Sequence, residues 1–232
     1  MVEIKGIEKF ASRDFPGHIS STVFLGGCPF RCPYCHNVDL VLHQDEMETI
    51  PIDIFLSFLD GRKGWLEAIC ISGGEPLLHV DIEDLIRGIR DRGLLVKLDT
   101  NGAFPARLER LLRDGLLDFV AMDVKAPLER YCEVTGASVD IKAIEKSADL
   151  LGNSGIPAVF RTTMVPDLVG IDDVVKIGQW LRGAGSYVVQ QFHPRNTIDP
   201  AFSEKKPYSR GQLETMVEAA KPYFQSVRLE NP

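Results

Sequence analysis

The chain has 232 residues, 44% of them hydrophobic and 25% charged, and a formal net charge of −7. That balance is ordinary for a soluble globular protein, and its acidity argues against broad nucleic-acid binding, which needs a basic footprint. No apolar run is long enough to span a bilayer, and the N-terminal Met-Val-Glu-Ile-Lys lacks the pattern of a signal peptide. The expected location is therefore the cytoplasm, with no membrane partner.

Taken in order, residues 4–10 alternate enough for a short strand, and Phe15-Pro-Gly is turn chemistry. A strand at about 21–25 follows and ends at Gly26-Gly27. Residues 52–59 carry apolar side chains at helical spacing and stop at Asp60-Gly61. A strand over 65–72 has its centre at 68–71. A helix over 81–92 places Ile82, Leu85, Ile86 and Ile89 on one face and stops at Gly93. Strands at 94–100 and 119–124 flank a helix over 105–113 that starts at Pro105. Helices over 140–153, 172–182 and 209–220 then alternate with strands at 158–163, 187–192 and 226–229. Near-continuous apolar strands alternating with helices predict a parallel sheet covered by helices, with about six βα units in a single domain. Residues 194–207 form the longest irregular stretch, readable as a lid, a docking segment or a plain surface connection.

Three of the five cysteines, Cys28, Cys32 and Cys35, fall within eight residues just after the second strand. Three thiolates on one loop can converge on a soft centre: an iron–sulfur cluster, zinc or copper(I). A saturated cluster takes four thiolates, so three leave one iron open to substrate. Zinc would need His36, which directly follows Cys35, and adjacent residues rarely both reach one tetrahedral ion. A disulfide framework suits neither the length nor the cysteine count. Cys70 reads as a buried core thiol and Cys132 as a free one.

The Cys-x3-Cys-x-Tyr-Cys spacing, with Gly73-Gly74-Glu75-Pro76 further on, resembles the signature of the radical S-adenosylmethionine (SAM) superfamily. Asp14-Phe-Pro-Gly17 and His36-Asn37 narrow the likeness to the activating enzymes of glycyl-radical enzymes, above all the activating protein of anaerobic ribonucleoside-triphosphate reductase. The likeness runs from about Ile4 to His193. Val38 departs from it, standing where these activases often carry proline; the change should alter loop stiffness and not chemistry.

The resemblance implies an α/β fold, a partial βα barrel of six parallel strands. The core would span about 20–193, with a C-terminal extension over 194–232. It implies one 4Fe–4S cluster on Cys28, Cys32 and Cys35, SAM on the fourth iron, and reductive cleavage of SAM to a 5′-deoxyadenosyl radical. That radical would abstract hydrogen from a glycine of a partner enzyme, with flavodoxin or ferredoxin as low-potential electron donor, under anaerobic conditions. Other substrates remain open on the residues alone: a pyruvate formate-lyase type partner, a small molecule or a tRNA base. A non-catalytic iron–sulfur or zinc protein is the reading from a different class.

In parallel βα folds the site lies at the C-terminal ends of the strands, and each polar cluster here follows one. By resemblance, Gly73 and Gly74 lie along the methionine amino group of SAM, with Glu75 nearby among the cofactor-binding residues, and Asp99 and Lys125 hold its methionine end. Asn101 belongs to the same turn as Asp99. Tyr34 and His193 lie against the adenosyl part. Arg161, a basic residue in a core strand, is expected to point at the site. Asp99, Thr100 and Asp123 are the candidate ligands of a monovalent cation. His18, His43 and His79 are expected to be structural or superficial.

Overall fold

The computed structural model describes residues 2–230. Two strands open the chain, β1 (Ile4–Ala11) and β2 (Ser20–Leu25). The cysteine loop and a short helix, α1 (Val38–Leu42), come next. Then α2 (Ile52–Asp60), β3 (Ala68–Gly73), α3 (Ile82–Arg90), β4 (Leu95–Thr100), α4 (Pro105–Arg113) and β5 (Phe119–Asp123) alternate. A short α5 (Tyr131–Thr135) precedes α6 (Ile141–Asn153), β6 (Ala158–Met164), α7 (Ile171–Trp180) and β7 (Ser186–Gln191). The chain closes with α8 (Pro200–Ser203), α9 (Arg210–Ala220) and β8 (Ser226–Glu230).

The eight strands form one sheet in sequence order. Strands β2 to β8 run parallel, and β1 pairs antiparallel with β2. The expected six parallel strands are β2 to β7. The final strand adds a seventh, so residues beyond 194 continue the same sheet through α9 and β8. The sheet also curls. Arg13 and Asp14, just past β1, line one cavity together with Arg228 and Glu230 of β8, so the two edges face each other across an interior. The fold is an α/β partial barrel.

Local chemistry explains the covering helices. In α3, Ile82, Leu85, Ile86 and Ile89 are buried, while Glu83 and Asp84 in the first turn and Arg87 and Arg90 in the last complement the helix dipole. Ser209 and Gln212 close a capping box on α9. Asp140 caps α6 by accepting from the Lys142 N–H. Gly136, at φ 61°, ends α5 in a conformation that costs a side-chain-bearing residue more.

The core divides by strand face. Val96 and Leu98 of β4, Val120 and Met122 of β5 and Tyr187 and Val189 of β7 point outward into the large core under the helices. The alternate residues Ala121, Val159 and Val188 form a separate small cluster with Phe119. Successive strand residues face opposite sides, so Lys97, Asp99, Asp123, Arg161 and Gln190 share the inner face.

Candidate active site on the inner face of the barrel

A cavity of about 330 Å³ opens at the C-terminal ends of the parallel strands. It is lined by all three loop cysteines and by residues at the ends of β3 to β7. Tyr34, Gly73, Gly74, Asp99, Thr100, Asn101, Asp123, Lys125, Arg161 and His193 are all on its wall. Glu75 is not. A second cavity of about 490 Å³ shares Asp99, Arg161 and Gln190 with the first and reaches Asp14 and Arg228.

The cysteine loop is held from three sides. Arg31 N–H donates to the Thr135 carbonyl at 2.8 Å. The Asn37 side chain donates to the Gly73 carbonyl at 2.9 Å. Ile198 and Asp199 N–H groups donate to the Cys35 and Pro33 carbonyls at 3.1 and 2.9 Å. The irregular 194–207 stretch is therefore a brace for the cysteine loop. Val38 occupies the first position of α1, one of the few helical positions where proline and other residues are interchangeable.

Burial pushes the Cys28 thiol up to about 12 and the Cys32 thiol to about 11. Such thiols are poor nucleophiles, and only a bound cation would strip their protons. Among the described residues no three His, Cys, Asp or Glu side chains converge on a point suited to one metal ion. A four-iron cluster binds each thiolate to a different iron, so its ligands stand apart. On the same wall, polar side chains such as Asn101, Gln190 and Gln191 stand beside the cysteines. The residues present fit a cluster and a polar small molecule.

Gly73 and Gly74 are required by the packing of the chain on itself. A Cβ on Gly73 (φ 127°) would lie 2.2 Å from the Leu25 carbonyl oxygen, and one on Gly74 2.0 Å from that of Gly27. The glycines press the end of β3 against the cysteine loop. Glu75 corrects the sequence reading. It is fully buried and accepts hydrogen bonds from Asn101 N–H at 2.6 Å, Leu77 N–H at 2.9 Å and Thr100 Oγ1 at 2.8 Å. Burial lifts its carboxyl to about 7 against the pull of those three donors. Its role in this geometry is to tie the turn after β3 to the turn after β4.

The opposite wall is a ladder of charge. Lys97 Nζ lies 2.5 Å from Asp99 Oδ1. Arg161 reaches Asp99 at 3.4 Å and Asp123 at 2.8 Å, and Lys125 Nζ lies 3.2 Å from Asp123 Oδ2. Strand register produces these contacts: Asp123 is paired with Arg161 across β5 and β6. Cys70 is paired with Lys97 across β3 and β4, and its sulfur lies 3.5 Å from the ammonium. Burial would raise Asp123, yet Arg161 and Lys125 hold it well below the usual carboxylate range. Burial works against the Lys125 ammonium, and Asp123 overrides it.

The ladder also revises the expected cation site. Asp99 and Asp123 are bridged by the Arg161 guanidinium, and the Thr100 hydroxyl is committed to Glu75. The positive charge between the two aspartates is supplied by the chain itself. Arg161 lines the cavity, and its contacts are these carboxylates.

Lys97, Thr163 and Gln190 were missed on the sequence. The signal was there for two of them, since Lys97 lies two residues from Asp99 and Thr163 two from Arg161; Gln190 is brought in by its pairing with Thr163 across β6 and β7, which the sequence does not show. His79 Nε2 lies 2.9 Å from the Gly26 carbonyl oxygen, a structural contact. His18 and His43 lie beside Glu67 and Glu46 at the surface. Burial, with Lys125 and His193 nearby, lowers the pKa of His36 and favours its neutral form.

Comparison with known proteins places this geometry. Residues 22–181 match the radical SAM superfamily. A Methanocaldococcus jannaschii protein named a glycyl-radical enzyme activating enzyme is 32% identical over 97% of this chain and 94% of its own length. The pyruvate formate-lyase-activating enzyme of Streptococcus mutans is 31% identical over 77% of this chain and 72% of its own length. Streptococcus suis SuiB, solved with SAM bound, superposes with a TM-score of 0.69 at 16% identity, covering 88% of this chain and 48% of SuiB. A domain of the Bacteroides vulgatus pyruvate-formate lyase-activating enzyme has a TM-score of 0.55 at 14% identity, covering 71% of this chain and 99% of that domain. These solved structures share the fold, and SuiB is about twice as long as the matched part. The chain belongs to the radical SAM superfamily, whose cofactors are a 4Fe–4S cluster and SAM, and within it to the family of glycyl-radical-enzyme activating enzymes.

Proposed function

We propose that this protein generates a glycyl radical on a partner enzyme. The observation that carries the reading is one cavity that joins the three cysteines to the charged ends of β4, β5 and β6. Cys28, Cys32 and Cys35 hold the cluster, which with SAM supplies a 5′-deoxyadenosyl radical by one-electron reductive cleavage. The chain's own residues bind, orient and shield. Lys97, Arg161 and Lys125 outnumber Asp99 and Asp123 by one positive charge, which suits the carboxylate of a bound amino acid moiety. Asp99, which lines the cavity and whose Oδ2 has a long 3.4 Å contact to Arg161, is placed to accept from the ammonium of that moiety. Tyr34 and His193 flank the adenosyl end, and Gly73 and Gly74 bring main chain up to the ligand.

The second cavity meets the first at Asp99, Arg161 and Gln190. The motif around the cysteines favours anaerobic ribonucleoside-triphosphate reductase as the partner; the electron would come from a low-potential donor such as flavodoxin or ferredoxin, in an anaerobic cytoplasm. Pyruvate formate-lyase is the second reading, favoured by the identity with its activating enzyme in S. mutans. The test mixes reduced protein and SAM with each partner and records electron paramagnetic resonance. A glycyl doublet on the reductase is expected. A doublet on pyruvate formate-lyase alone would reassign the partner. SAM cleavage with no doublet on either enzyme, and with a new small-molecule or tRNA product, would overturn the activase reading.

A further inference from the structure

We propose that Asn101 sets the reduction potential of the cluster through the sulfur of Cys28. This inference rests on the cluster reading of the cysteine loop. Asn101 is 4% exposed, in the turn after β4. Its Nδ2 lies 3.6 Å from Cys28 Sγ.

The direction of that amide is fixed by its neighbours. Asn101 Oδ1 accepts the Ala103 N–H at 3.0 Å, so the opposite amide edge faces the cysteine. Turning the amide over would set an NH2 against the Ala103 N–H and a carbonyl oxygen against the sulfur, two repulsions in place of two attractions. The residue's own backbone is pinned as well, because its N–H donates to Glu75 Oε2 at 2.6 Å. Glu75 is immobilised in turn by Leu77 and Thr100. A buried chain of contacts thus runs from the turn after β3, through Glu75, to a side-chain donor aimed at one cysteine.

Cys28 Sγ also accepts the Phe30 N–H at 3.4 Å. Of these two donors, only the one on Asn101 is a side chain, removable without changing the backbone. Hydrogen bonds to cluster sulfurs tune reduction potential. The reduced cluster carries one more negative charge, shared with its thiolates, so a donor stabilises it more than the oxidised form. Losing the donor lowers the potential and makes the electron harder to load.

The experiment is a potentiometric titration of the reconstituted protein without SAM, read by electron paramagnetic resonance. Asn101→Asp keeps the shape and the Ala103 bond but loses the donor; Asn101→Ala loses both and adds no charge. Both variants are expected to keep full iron and sulfide content. Their midpoints should fall, with the reduced-to-oxidised ratio at fixed potential dropping about threefold or more, roughly 30 mV at 59 mV per decade. An unchanged or raised midpoint in Asn101→Ala overturns the proposal even if Asn101→Asp falls, because the acid's charge alone would then explain the shift. Failure of both variants to hold a cluster overturns it as well and assigns Asn101 to cluster assembly. A wild-type chain that binds no iron would instead refute the cluster reading beneath it.

Discussion

The two faces of the same strands obey different rules. Outward, β4 presents Val96 and Leu98, β5 presents Val120 and Met122, and the helices cover them. Inward, the residues between them are Lys97, Asp99, Ala121 and Asp123, and the apolar contribution shrinks to Ala121, Val159, Val188 and Phe119. The outer face supplies stability by burying area at about 25 cal/mol per Å². The inner face holds charges in a place where each needs a partner, and every carboxylate of the ladder has a cation within 3.4 Å. Stability and chemistry are thus separated by a single residue step along each strand.

The largest break in this comparison is Cys32→Ala. It removes the most buried of the three loop thiols and should abolish both cluster assembly and SAM cleavage, measured as iron content and 5′-deoxyadenosine. Retained cleavage would remove the cysteine loop from the chemistry. Next comes the adjacent pair Leu98 and Asp99. Leu98→Ala, on the outer face, should cost about 3 kcal/mol of stability in denaturant unfolding. It should leave SAM affinity near that of the parent. Asp99→Asn, one residue on and of the same shape, should weaken SAM binding about tenfold, or about 1.4 kcal/mol, by calorimetry, with the cluster intact. Equal effects of the two changes on affinity would show that the faces are not separable.

The smallest effect concerns Glu75. Its folded pKa of about 7 lies above the 4.5 of an ordinary glutamate, so the folded state holds this proton more tightly than the unfolded one. The contribution to stability is complete below about pH 4.5 and is lost as pH rises to about 7. The stability of the parent relative to Glu75→Gln should therefore decline across that window and level off above it. A difference that stays constant with pH would contradict the assignment.

The cysteine loop and the strand-end motifs were legible because their chemistry is local. Three cysteines in eight residues admit few readings, and Asp99, Asp123 and His193 each sit where an apolar run stops. Glu75 was misread for the opposite reason. Its partners Thr100 and Asn101 lie a βα unit away, so only the tertiary fold tells a ligand contact from a buried tie. The Arg161 bridge depends on the register between β5 and β6, which no local pattern carries. Lys97 was passed over inside an apolar run, although Val96, Lys97, Leu98 and Asp99 alternate in polarity as a two-faced strand does. The short helices α1, α5 and α8 span one turn or so, too little for periodicity to register.

The central claim is that the inner face, with its three cysteines and charged ladder, binds a cluster and SAM and cleaves SAM reductively. The direct test is anaerobic reconstitution with iron and sulfide, addition of dithionite and SAM, and chromatography for products. The account predicts 5′-deoxyadenosine and methionine in equal amounts. A sample with its cluster verified by iron content and absorbance that yields neither would contradict it.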